Sequence, residues 1–363
     1  SGDFSFEQAT TGTGTITRIA ATNVSVGIGD GTTNILSITS GTALFVVTNL
    51  GLSGTVSGSV AVSIPGVSLS GTIQVAINTT TSAVNETFSI NGVNSTVSLP
   101  AGPYFRFEGT NISLNVVGQT LTGNVAFEQV TLPSGLRFVT LAMTNMTLNL
   151  GGISLSLPSA GFLMTPSGMA GQINLTVGIS FGGVSLSGAL KLSINNIAAP
   201  VIQPFSAGGT SFNLNLAAGP YLRIEGLGLT LSVAGQTLSG NFAIESVAVP
   251  NAGRKLTIAA SQVTLSLGSA VSVTNGTGLF VLSSAGMAGS LSATVGLNLP
   301  ASISFTGTFK LSINNTAAAV SESITLAGVT HTITLSPSST GAMRAYDLYL
   351  RYKAWRARRN AAP

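Results

Sequence analysis

Residues 99–130 read LPAGPYFRFEGTNISLNVVGQTLTGNVAFEQV, and residues 216–247 read LAAGPYLRIEGLGLTLSVAGQTLSGNFAIESV, 117 positions further along. A second register recurs at VSLSGTIQVAIN from Val67, VSLSGALKLSIN from Val184 and SISFTGTFKLSIN from Ser302. A fixed period of this kind is the mark of a repeat architecture, here close to three copies of a unit of about 117 residues.

The matched segments alternate with a period of two. From Val184 one side collects Val184, Leu186, Gly188, Leu190, Leu192 and Ile194, and the other Ser185, Ser187, Ala189, Lys191, Ser193 and Asn195. The segment from Val67 divides in the same way. This predicts half-buried β-strands with the apolar side inward and the polar side outward. An apolar-x-Gly signature recurs at Gly54, Gly71, Gly123, Gly171, Gly188, Gly240, Gly289 and Gly307. Its glycine falls on the apolar side, where a missing side chain admits a neighbouring backbone or a large residue.

Turn signals at Asn91-Gly92, Gly118-Gln119, Gly151-Gly152, Gly182-Gly183 and Gly235-Gln236 punctuate the runs. They predict antiparallel hairpins in a meander, eight or so strands per unit. The expected fold is all-β: an elongated antiparallel repeat array, sandwich- or solenoid-like, with a short C-terminal basic helix or tail. The expected divisions are residues 1–123, 124–240, 241–340 (a truncated repeat) and the tail 341–363. No Pro-rich or Ser/Gly linker separates the repeats, which favours a rigid rod over beads on a string.

Residues 1–8 match residues 122–129 and 239–246, so the chain begins on the second strand of a hairpin. Residues 329–335 match 210–216, after which the third unit lacks its Gly-Pro-Tyr strand. Two unpaired strand edges would template further pairing, and head-to-tail association into a homo-polymer follows as an expectation. Phe4 and Phe6 at one end, and Thr332, Ile333 and Leu335 at the other, are the candidate assembly edge.

The chain of 363 residues holds 14 Lys and Arg, 10 Asp and Glu, one His and no Cys. Residues 1–340 carry eight bases and nine acids, a net of −1, and the tail carries six bases and one acid. The body therefore lacks a basic stripe for phosphate binding, and no nucleic-acid partner is expected. Without cysteine there is neither a disulfide framework nor a thiolate metal site. No apolar run approaches the roughly 18 residues that cross a bilayer as a helix. Ser1 does not begin a signal peptide, and the start reads as a mature or trimmed end.

Catalysis needs converging titratable groups, and here the acids stand singly. Glu108 and Glu225 hold equivalent places in Gly-Pro-Tyr-x-Arg-x-Glu-Gly, each two residues from an arginine, Arg106 or Arg223. A repeated ion pair is the better reading than a glycosidase couple. Glu7, Glu128 and Glu245 form a second repeated set. His331 stands where the preceding repeat has Phe212, as a packed strand residue. Asp30, in GIGDGTTN, is a single acid, too little charge for a calcium site. No enzyme, cofactor or metal centre is expected. Asn-x-Ser/Thr sequons at Asn23, Asn78, Asn85, Asn94, Asn111, Asn145, Asn174 and Asn275 offer sites for glycosylation.

From Met343 the text changes to MRAYDLYLRYKAWRARRNAAP. Arg344, Arg351 and Arg358 share one helical face, and Leu348, Tyr352 and Trp355 another, which predicts an amphipathic helix. Arg344, Arg351, Trp355 and Arg358 are the candidate docking residues for a glycan or the cell envelope.

The motifs GPYxRxEG, GQTLxG and LSGxxxLxIN, together with low charge over residues 1–340, resemble the tandem β-repeats of very large bacterial surface and adhesin-like proteins. That resemblance implies an extracellular fibre, stalk or coat. Those arrays are often stiffened by acid-rich calcium linkers, which this sequence lacks. The Leu-x-Gly-x-apolar ladder is also similar to the β-grooves of bacterial envelope lipid-transfer proteins, which implies a conduit for acyl chains. A fibre closes its apolar face with a second sheet, whereas a conduit leaves it open. A glycan-binding adhesin would need exposed aromatics, for which Tyr104 and Tyr221 are the repeated candidates.

Overall fold

A computed structural model describes residues 1–337, apart from positions 12–13, 30–33, 91, 132–133, 151–152, 250–252, 269 and 300–302. The expected tail helix with Arg344, Arg351, Trp355 and Arg358, and the Asp30 loop, lie outside the described residues. Those residues form 23 β-strands and no helix.

The strands follow the turn signals. In chain order they are β1 (Asp3–Thr11), β2 (Gly14–Gly29), β3 (Asn34–Thr48), β4 (Gly51–Ile64), β5 (Val67–Asn78), β6 (Val84–Ile90), β7 (Val93–Leu99) and β8 (Tyr104–Val116). The second period holds β9 (Gln119–Thr131), β10 (Arg137–Leu150), β11 (Ile153–Thr165), β12 (Gly168–Phe181), β13 (Val184–Asn195), β14 (Val201–Ala207), β15 (Thr210–Leu216) and β16 (Tyr221–Val233). The third holds β17 (Gln236–Val249), β18 (Gly253–Leu267), β19 (Val271–Ser283), β20 (Gly286–Leu299), β21 (Ile303–Asn314), β22 (Val320–Leu326) and β23 (Val329–Leu335). The tight turns carry left-handed residue pairs, Val117-Gly118 and Ala234-Gly235 among them, as two-residue hairpins demand.

The chain forms two compact units, one of Ser1–Gly178 with Ser193–Gly219, the other of Ile179–Leu192 with residues from Pro220 onward. In the first, β1 to β5 pair in antiparallel succession, β5 then pairs with β8, and β8 to β11 continue the meander. In the second, β16 to β21 run in the same way. The short hairpins β6–β7, β14–β15 and β22–β23 stand outside these sheets and lie on one face of them.

The face the hairpins choose differs from the expectation. Ala76, Asn78, Ser193 and Asn195, all on the polar side of their strands, are buried, whereas Val184 and Leu192 on the apolar side are exposed. The reason is size. The hairpin strands carry the large residues Phe88, Val97, Leu99, Phe205, Leu214, Ile324 and Leu326, and the sheet meets them with Ala20, Ala76, Ala126, Ala142, Ala243 and Ala259. Small side chains let a two-stranded ribbon approach closely enough to dry its own apolar face. One such cluster joins Ala20, Leu44, Val46, Ala76, Phe88, Val97, Leu99 and Tyr104. Another joins Ala243, Ala259, Leu279, Val281, Ile324, Leu326 and Ile333.

Candidate functional site

Two features repeat through the sheets: a polar clamp beneath the hairpins and an apolar face opposite them. The clamp begins with the asparagine that ends each Val/Leu-x-Ile-Asn motif, buried at Asn78 and Asn195 and half-buried at Asn314. Asn78 Nδ2 donates to the carbonyls of Ser82 (2.8 Å) and Pro100 (2.7 Å), and its Oδ1 accepts from Thr80 N (2.9 Å). Asn195 makes the same three bonds with Ala199, Ala217 and Ile197, and Asn314 with Ala318, Ser336 and Thr316. One amide thus ties down both ends of each hairpin. Asn78, a sequon residue, is fully buried and closed to glycosylation.

The Gly-Pro-Tyr-x-Arg-x-Glu-Gly strands supply the charged part. Arg106 Nη2 donates to Glu108 Oε2 at 2.8 Å, and its Nη1 lies 3.6 Å from Glu128 Oε2. Arg223 holds Glu225 at 2.7 Å and Glu245 at 2.9 Å. Burial works against both guanidinium charges, but the bonded carboxylates outweigh it and hold each arginine above its ordinary pKa. Glu108 Oε1 accepts from Gly208 N at 2.7 Å, and Arg223 donates to the Thr325 carbonyl. The ion pairs therefore fasten the strand to a hairpin tip, through the acid in one copy and the arginine in the other, and each acid bonds its arginine. Arg18–Glu86 and Lys255–Glu322, each 2.8 Å, pin the first and third hairpins; the second has Gln203 at that position.

Tyr104 donates to Glu128 Oε1 at 2.9 Å and Tyr221 to Glu245 Oε2 at 3.3 Å. Burial, then the nearby carboxylate, raises both phenols, that of Tyr221 to about 12. Neither ring is offered to a glycan: Tyr104 is buried and Tyr221 half-buried. His331 pairs across the hairpin with Ile324, and its buried Nε2 has no hydrogen-bond partner. No cluster of three metal-ligating side chains occurs among the described residues.

On the opposite face the apolar residues line up across the strands. In the first unit one row runs Phe4, Ala21, Ala43, Val56, Val75, Phe107, Phe127, Leu141 and Phe162 over nine strands. In the second unit a row runs Ile224, Ile244, Ile258, Phe280, Gly289 and Ile313. Neither row contains a charged residue. The glycines of the apolar-x-Gly signature sit in this face beneath large neighbours: a Cβ on Gly54, Gly171 or Gly289 would meet Phe45, Phe162 or Phe280 within 2.4 Å. Gly71, Gly123 and Gly188 lie likewise beside Ile112, Met146 and Leu229.

A line of bulges bends these strands. Asn23, Ser40, Asn111, Asn145, Gln262 and Asn275 take positive φ inside strands, and the pairing register shifts beside them. Asparagine tolerates that conformation, so four sequons coincide with bulges. In a regular strand, residues three apart point to opposite faces. Yet a Cβ on Gly109 would lie 3.0 Å from Ile112, and one on Gly226 would lie 2.4 Å from Leu229, across the bulge. The residues on either side of the bulge thus share the apolar face although they stand three apart in sequence.

The expected assembly residues divide. Phe4 and Phe6 lie on β1, which among the described residues pairs with β2 alone, and are 74% and 69% exposed. Thr332, Ile333 and Leu335 lie on β23 in the third hairpin, where Ile333 is buried. They do not form the edge of the sheet, because a β22–β23 ribbon laid on the sheet buries its own apolar residues. The strand with an open side there is β21, paired with β20. No protein-family model matches this chain, and no curated protein matches it either.

Proposed function

We propose that this chain is a section of an extracellular or envelope β-array whose bent apolar face holds the acyl chains of lipids. The observation that carries this reading is the uncharged row Ile224–Ile244–Ile258–Phe280–Ile313, with its counterpart in the first unit. Ile224, Ile244 and Ile258 are exposed, and among the described residues the hairpins close the other face and no second sheet lies on this one. Exposed apolar surface of such extent marks an interaction site. Ligands without charge or hydrogen-bonding groups along their length suit a lining of Ile, Val, Phe and Gly.

The test is to extract the purified protein with organic solvent and look for acyl lipids by mass spectrometry. The extract should yield them, and the pair Ile244→Asp with Ile258→Asp should lose them while keeping the far-ultraviolet spectrum. Absence of lipid, with no uptake of a fluorescent fatty acid, would reject the reading.

A second reading, a fibre or coat built by head-to-tail joining, is favoured by the open sides of β1 and β21. Val125 and Phe127, which repeat Phe4 and Phe6 but have β8 beside them, are half-buried. Negative-stain images of the full chain should then show long filaments, and isolated particles at high concentration would count against it.

A further inference from the structure

The charges of the described residues are sorted by face. Every glutamate among them pairs with Arg18, Arg106, Arg223 or Lys255 on the hairpin side. Asp3 accepts from Asn23 at 2.8 Å, in a cleft shared with Val93 and Ser95 of the first hairpin. The cations Arg137, Lys191, Arg254 and Lys310 have no carboxylate partner among the described residues. Lys191 and Lys310 alternate in step with Asn195 and Asn314 and so stand on the hairpin side of β13 and β21.

The two arginines point the other way. Lys255 Nζ holds Glu322 of the third hairpin at 2.8 Å, so the residue before it, Arg254, faces the apolar side, where its Nε donates to Ser246 Oγ at 2.9 Å. In β10, Thr140 and Ala142 are buried under the second hairpin, and Arg137, Val139 and Leu141 alternate with them on the apolar side. Both arginines are exposed, and both stand at the entry of their strand, at places 117 residues apart in the repeat. The first repeat has Thr15 there, opposite Thr10 as Arg137 is opposite Thr131. Among the described residues, then, the apolar faces carry charge only at this rim, and it is positive.

From each arginine the apolar side runs on along the strand, through Val139, Leu141 and Met143 in β10 and through Leu256, Ile258 and Ala260 in β18. Six residues of strand span roughly 20 Å, which accommodates an acyl chain, two of which end to end fill a bilayer core of about 30 Å. A chain laid there brings its headgroup to the guanidinium. Arginine bonds phosphate through paired donors, and its stem lies on apolar neighbours while its head stays in water. We propose that these faces select anionic lipids, Arg137 and Arg254 each holding a phosphate headgroup at the rim. This rests on the acyl-chain reading and names the class of lipid it concerns.

The test compares two lipids that differ only in the phosphate, palmitoyl lysophosphatidic acid and monopalmitoylglycerol, by displacement of a fluorescent fatty acid from the full chain. The phosphate form should bind about tenfold tighter, as one charge-assisted bond lost per site implies. Arg137→Gln with Arg254→Gln should remove that difference. Lys191→Gln with Lys310→Gln, which takes the same charge from the hairpin side, should keep it. Equal binding of the two lipids to the native chain overturns the proposal and leaves the acyl-chain reading standing, whereas binding of neither overturns both. A preference that survives the arginine pair, or disappears equally with the lysine pair, also overturns it. So does displacement of the phosphate form by an equal concentration of inorganic phosphate, which would assign the arginines to a free anion.

Discussion

The two faces of these sheets bury apolar matter by opposite means. Under the hairpins the sheet offers many small residues, Ala20, Ala76, Ala243 and Ala259 among them, beside a few large ones such as Leu44 and Leu279, and further large residues arrive on the ribbon: Phe88, Phe205 or Ile324. On the other face the sheet itself carries the large residues, with glycines beneath them, and among the described residues no ribbon lies above. The difference teaches that in a strand of period two, hydrophobic character does not by itself say which side is inside. Closeness of approach decides where the protein covers itself, and the side left bare is available to something else.

The comparison is broken most strongly at the ribbons. Leu326→Ala removes a wholly buried side chain and should cost about 3 kcal/mol in urea unfolding. Asn78→Ala removes four hydrogen bonds at the foot of the first hairpin and leaves the carbonyls of Ser82 and Pro100 without that donor. A loss of about 2 kcal/mol is expected by the same measurement. On the apolar face, Gly289→Ala drives a methyl into Phe280 and the Leu279 carbonyl and should cost about 1 kcal/mol or more in the same measurement.

A pH prediction follows from Tyr221, whose phenol is held near 12 against about 10 when unfolded. The folded state keeps the proton more tightly. The stabilisation is therefore complete below pH 10 and is lost as pH rises through the window from 10 to about 12. Tyr221→Phe should flatten that part of the stability profile and change little at pH 7. The smallest effect belongs to Ile244→Ser, an exposed position on the apolar face. Its unfolding free energy should move by less than about 1 kcal/mol, while acyl-chain uptake falls. A large loss of stability there would mean that the face is core.

Much of this was legible in the residues. The 117-residue offset, the period-two alternation and the glycine pairs place the strands and turns, and Arg106 with Glu108 and Arg223 with Glu225 pair as their spacing implies. The hairpin side was misread, because Ala76 and Ser193 look like solvent residues until a ribbon is laid over them. The role of Asn78, Asn195 and Asn314 was also missed. Its signal was present in the recurrence of an apolar-x-Ile-Asn motif at intervals of 117 and 119 residues, but the bonded carbonyls lie up to 22 residues away. The sequons at Asn23, Asn111, Asn145 and Asn275 hid the bulge positions in the same way.

By itself the sequence determined the β-strands, their period and their order, since alternation and turn chemistry act between near neighbours. Which face the hairpins cover, where the strands bend and which strand is left open were decided only by the tertiary structure. These depend on whether side chains from strands distant in sequence are small enough to let backbones meet, and that is settled by packing in three dimensions.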